Sequence, residues 1–181
     1  GTAYQGGIST RIKNFFCKEE YGIGINTNKP QSFPEFLRSN DFYATSAIKC
    51  HISDGNVEDV GQGVIENCTN EYLSAQIEAM DQLEVIIPMG KVATSAILQQ
   101  RLIDFQLTSI LGTTHQGIHS PHQRWGMEVI VLPHPSGVSP LSNPPIVSGE
   151  GNRNQWRNAR SFRCALRAVR LRLDSMGYDV L

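Results

Sequence analysis

The sequence lacks any apolar run long enough to cross a membrane. A spanning helix needs about 20 residues, and the longest runs here, such as Val129–Pro133, are strand-sized. The opening Gly1-Thr2-Ala3-Tyr4 has no initiator Met, no basic leader and no apolar segment. No secretory signal is therefore expected, and the expected location is the cytoplasm, beside the nucleoid if the source is bacterial. Cys17, Cys50, Cys68 and Cys164 form no CxxC pair, which excludes a self-contained zinc site of that kind. Without a leader a disulfide framework is not expected, and the Asn67-Cys68-Thr69 sequon is discounted for the same reason. Charge is sparse at 18% against 40% apolar residues, too little for a disordered chain and enough apolar surface for a core. No repeat or linker interrupts the 181 residues, so one domain is expected across the whole length.

What charge there is lies unevenly. Residues 1–120 carry 8 Lys/Arg against 13 Asp/Glu, and residues 121–181 carry 8 against 4. Seven Arg fall between Arg153 and Arg172. A basic end on a nearly neutral chain suits a polyanion, although a solvated helix face has the same composition.

Apolar patterning orders the elements. A short helix is predicted around Ser9–Phe16, then a loop over Tyr21–Pro34. Phe42–Ile48 has the β-prone and small residues of a buried strand. A polar loop is predicted over residues 51–67, then an amphipathic helix over Asn70–Gln82 with Tyr72, Leu73, Ile77 and Met80 on one face. Leu83–Met89 is a second strand, Gly90-Lys91 a tight turn, and Val92–Leu102 a helix. Met127–Pro133 is a third strand, His134–Gly151 a Pro- and Gly-rich loop, and Gln155–Met176 a long final helix. Strands alternating with helices predict an α/β fold, a three-layer α/β/α sandwich around a short, mostly parallel sheet. Functional residues then belong on loops at the carboxyl ends of strands: Ser46–His51, Met89–Lys91 and His134–Asn143.

Of these, Leu132–Asn143 (LPHPSGVSPLSN) carries the most chemistry. A strand delivers His134, and the chain turns at once. Pro135 fixes φ and Gly137 permits unusual backbone angles, so the loop is stiff and projects. An imidazole there can donate a hydrogen bond to an oxygen gaining negative charge. The alternative is a histidine that merely caps a Pro-rich turn.

His134-Pro135-Ser136 after an apolar strand resembles the second motif of the uracil-DNA glycosylase superfamily. Tyr43–Cys50 (YATSAIKC) is similar to a segment of that superfamily's iron–sulfur branch, the one holding its families four and five. Cys68 followed by Tyr72-Leu73, Val85–Ala93 (VIIPMGKVA) and Gly1–Gly6 (GTAYQG) resemble further segments of the branch in the right order. The resemblance implies a DNA-repair glycosylase that flips uracil out of DNA and hydrolyses its N-glycosidic bond. His134 would bond a uracil carbonyl oxygen and stabilise the departing base, and Tyr4 would stack on it. Ser46 stands where one subfamily has a base-reading Asn and another Ala; Ser supplies a single hydroxyl. Pro135, Ser136 and Gly137 would enter the minor groove. Ser139 is placed with Arg153, Arg157 and Arg160 as a contact to the DNA backbone. Cys50 and Cys68 match two of four ligands of a [4Fe–4S] cluster; no nucleotide cofactor is expected. The partner implied is uracil-containing DNA, with no membrane and a monomeric enzyme.

The branch's first motif and its other two cluster cysteines would precede the segment matched by Gly1–Gly6, so an amino-terminally truncated chain is expected. Cys164 is expected in the core and Cys17 half-buried. In the final helix Trp156, Ala159, Phe162, Leu166, Val169 and Leu173 step by three or four toward the core. Arg153, Arg157, Arg160, Arg163, Arg167 and Arg170 share another face. Two rivals stand beside the glycosylase. One is a damaged-DNA-binding module without catalysis. The other is a metal-dependent hydrolase using His115, His119 and His122, against which Gly117, Ser120 and Pro121 indicate an irregular loop without carboxylates.

Overall fold

The computed structural model describes residues 16–17, 32–48, 61–99, 101, 128–132, 134 and 167–180. Its first complete helix, α1, spans Phe33–Ser39 and begins inside the end of the predicted Tyr21–Pro34 loop. The start is chemically specified. Ser32 accepts a hydrogen bond from the Glu35 backbone while its own N–H donates to Glu35 Oε2 at 2.8 Å, a capping box with Pro34 in the first turn. The helix stops at Asn40, whose Nδ2 donates to the Phe36 carbonyl. Asp41 then turns the chain at φ 51°.

Phe42–Ile48 is not a strand; it runs as irregular chain without a ladder partner among the described residues. Side chains hold it instead. Phe42 packs on Phe16, Phe36 and Tyr178 with ring centroids 5.3, 5.7 and 5.4 Å away, and Ile48 is buried at the far end.

Where a polar loop was expected up to residue 67, α2 (Gln62–Cys68) is already helical. It continues without a break through a π-helical turn, Thr69–Leu73, into α3 (Ser74–Glu78). The π turn is built by hydroxyls. Thr69 Oγ1 donates to the Ile65 carbonyl, and Ser74 gives both its N–H and its Oγ–H to the Thr69 carbonyl five residues back. One extra residue per turn keeps Thr69 and Ser74 on the buried side together with Ile65, Leu73 and Ile77. Tyr72, placed on the apolar face by a strict 3.6 period, is instead 53% exposed.

Among the described residues the sheet consists of β1 (Val85–Ile86) and β2 (Glu128–Val129), parallel, with Val85 opposite Glu128 and Ile86 opposite Val129. The same register continues to a bridge between Met89 and Leu132. Hydrogen bonds follow it throughout: Glu128 N–H to Glu84, Ile130 N–H to Ile86, Leu132 N–H to Pro88 and Gly90 N–H to Leu132. Pro88 contributes only its carbonyl, which this ladder accepts without losing a bond. Val129, Ile130, Val131 and Leu132 are all buried. Successive side chains point to opposite faces, so both faces of this strand are covered, as in an α/β sheet. The described ladder has two strands where three were predicted, because Phe42–Ile48 does not join it.

Between the strands lies α4, Lys91–Leu98, packed against α2. It ends four residues short of the predicted Leu102, because Gln99 adopts a left-handed conformation at φ 54° and closes the helix. Residues 167–175 are helical and bury Val169 and Leu173 as their spacing predicts, with Arg167 exposed. Cys17 is half-buried, also as expected. Cys68, before the predicted start of the helix at Asn70, already lies within the continuous helical path and is 2% exposed. Among the described residues no helix is long and apolar enough to cross a membrane.

Candidate active site

The parallel register determines what meets at the carboxyl end of the sheet. The last ladder bond, Gly90 N–H to the Leu132 carbonyl at 2.9 Å, brings the turn after β1 against the chain leaving β2. Two residues on from Leu132 stands His134. A Cβ added to Gly90 would lie 2.9 Å from His134 Cβ and 3.5 Å from its Cδ2. Gly90 also has φ 84°, in the region that L side chains avoid. Glycine is thus required twice over, by backbone angle and by the imidazole packed on it. Lys91 directly after it starts α4, and Thr94 Oγ1 returns to the Gly90 carbonyl at 2.8 Å. This is the tight turn the sequence indicated at Gly90-Lys91.

His134 remains exposed on its outer side. Its inner side packs on the Gly90 turn, and the loss of water there lowers the imidazole pKa from its ordinary 6.5. That direction favours the neutral ring, which carries a single N–H.

His134 and Ser46 line one cavity of about 1350 Å³. Arg172, Leu173 and Tyr178 line it as well, so it runs along the ladder and reaches beyond the surroundings of the imidazole. Ser46 comes from the irregular segment predicted as a strand, and the segment is anchored just before it. Phe42 is clamped by aromatic rings, Tyr178 Oη donates to the Asn40 carbonyl at 2.7 Å, and Thr45 Oγ1 donates to Gln76 Oε1 on α3 at 3.1 Å. Gln76 lines the same cavity. Sequence reasoning passed over it because its helical position is polar and carries no motif; only the fold shows that it faces the Thr45-Ser46 segment.

Tyr4, Pro135, Ser136, Gly137, Ser139, Arg153, Arg157, Arg160 and Cys50 lie outside the described residues, as do His115, His119 and His122. Among the described residues no three His, Cys, Asp or Glu side chains gather as a metal site. Cys68 sits in the apolar cluster with Ile65 and Leu73.

At the opposite end of the sheet Arg172 closes the ladder. Its Nη2 donates to Glu84 Oε2 at 3.1 Å, and its Nε lies 2.7 Å from Glu128 Oε2, an ion pair outside hydrogen-bonding angles. This arginine of the basic helix thus serves the fold.

Neither curated proteins nor solved structures gave a match to this chain. A family model, that of the uracil DNA glycosylase superfamily, nevertheless matches residues 1–147, and the chain belongs to that superfamily.

Proposed function

We propose that the protein is a DNA-repair glycosylase that flips uracil out of DNA and hydrolyses its N-glycosidic bond. One observation carries the reading: in a member of this superfamily, the ladder delivers an imidazole, His134, to the cleft that Ser46 also lines. The bond between the sugar C1′ and the base N1 breaks, and its electron pair leaves with the base. Negative charge grows on the uracil oxygens while the sugar becomes cationic. The His134 N–H donates to the carbonyl oxygen beside N1, where a fixed donor stabilises the transition state more than the ground state. Water adds to C1′ and gives up a proton, leaving an abasic sugar and, once protonated, free uracil.

Around this step, Tyr4 would stack on the flipped base, and Pro135, Ser136 and Gly137 would fill the minor groove. Ser139, Arg153, Arg157 and Arg160 would hold phosphates. The sequence resemblance favours the iron–sulfur branch, with Cys50 and Cys68 among the cluster's ligands in the whole protein; the cluster has no part in the step above. The deciding experiment is single-turnover excision from a uracil-containing oligonucleotide. The wild-type chain should leave an abasic product, and His134→Ala should slow its formation by about 10²–10³. Binding of the oligonucleotide without any abasic product would favour the damaged-DNA-binding module instead.

A further inference from the structure

A uracil edge presents three groups: an acceptor at O2, a donor at N3 and an acceptor at O4. His134 answers O2, and the Ser46 hydroxyl can accept from N3–H. Nothing yet named donates to O4. Gln76 lies on α3, lines the same cavity, and accepts the Thr45 hydroxyl at its Oε1, 3.1 Å away. In the structure the carboxamide is turned with Oε1 toward the Thr45 hydroxyl. With the oxygen committed to Thr45, the Nε2 branch carries two donors, and among the described residues these have no hydrogen-bond partner. Thr45 is the residue directly before Ser46, so the hydrogen bond joins the carboxamide to the segment that carries the serine.

We propose that Gln76 determines base specificity, its Thr45-oriented Nε2 donating to the carbonyl oxygen that distinguishes a 4-oxo base from the 4-amino base cytosine. The inference rests on the glycosylase reading above and deepens it. A carboxamide turned with its donors toward the cleft donates to O4 and meets the N4 amino group of cytosine donor to donor. An unmatched polar group left in a desolvated site rejects the wrong partner more strongly than a missing contact does. Gln76 takes over the role for which a single hydroxyl at Ser46 is insufficient.

The test compares single-turnover excision of uracil and of 4-thiouracil, whose sulfur is a poor acceptor at the same position. Wild-type protein should prefer uracil, and Gln76→Ala should reduce that preference by up to about tenfold, the value of one hydrogen bond. Gln76→Glu keeps the side-chain shape and replaces the donors with an acceptor, so it should lose the preference as well; it also covers the case in which the alanine variant does not fold. Thr45→Val frees the carboxamide to rotate and should lower the preference several-fold. A Gln76 that acts only on folding would slow both substrates equally. Equal losses in both glutamine variants would overturn the inference and leave the role of His134 intact. A wild-type chain that releases neither base would overturn both.

Discussion

The two ends of the ladder are held in opposite ways. At the amino end, Arg172 bridges Glu84 and Glu128 through long, partly exposed side chains. At the carboxyl end, Gly90 and His134 meet with no room for a methyl group between them. Charges on flexible stems tolerate error of an ångström and are weakened by solvent. A backbone pressed against an imidazole tolerates little. The end built by close contact is where a ring must be held in place for chemistry; the end built by ion pairs has only to keep two strands together.

The sharpest way to break this contrast is Gly90→Ala. The new Cβ combines a left-handed backbone with a clash against His134, so a loss of about 2–4 kcal/mol is expected by denaturant unfolding. Excision should fall with it as the imidazole is displaced. A neutral outcome would mean that the two turns do not touch. Tyr178→Phe probes the tie between the C-terminal segment and the Ser46 loop, and should cost about 1 kcal/mol through the hydrogen bond to Asn40. Burial, then the nearby Asp41 and Glu84, raise the Tyr178 pKa above its ordinary 10. Its contribution is thus fully present below pH 10 and lost as pH rises beyond that, and an alkaline unfolding series should show the loss in wild type and not in the phenylalanine variant.

Arg172→Ala should cost at most about 1 kcal/mol, less in high salt, with excision unchanged. A larger cost would put the two ends on an equal footing. The smallest effect concerns His134 itself. Its imidazole should titrate below 6.5 by NMR, because packing on Gly90 disfavours the charged form. The unfolded chain then binds the proton more readily, so stability should decline slightly as pH falls from 6.5 toward the folded value. A midpoint at or above 6.5 would mean that the ring is fully solvated.

Several elements were legible in advance for physical reasons. The runs at Val85–Met89 and Val129–Leu132 are apolar on both faces, as a covered parallel strand requires, and both supply the ladder. Val169 and Leu173 are four apart and bury together. The Ser32-Phe33-Pro34-Glu35 start of α1 was equally readable as a capping box, a signal overlooked inside a Pro- and Asn-rich stretch. Phe42–Ile48 misled because aromatic and β-branched residues favour burial in any form; Phe42 found rings rather than a neighbouring strand. Residues 62–68 misled in the other direction. Glycine and asparagine suggested a loop, yet Ile65 and Cys68 pack the segment as a helix.

By itself the sequence determined which segments had to be covered, where the chain must turn, and that a histidine follows the last strand. These are local consequences of apolar pattern and backbone freedom. Only the tertiary structure decided that Gly90 lies against His134, that Gln76 meets Thr45, and that Ser46 shares a cleft with the imidazole. Each of those pairs joins residues more than twenty positions apart, and their meeting depends on the register of the ladder and on aromatic packing that no local pattern encodes.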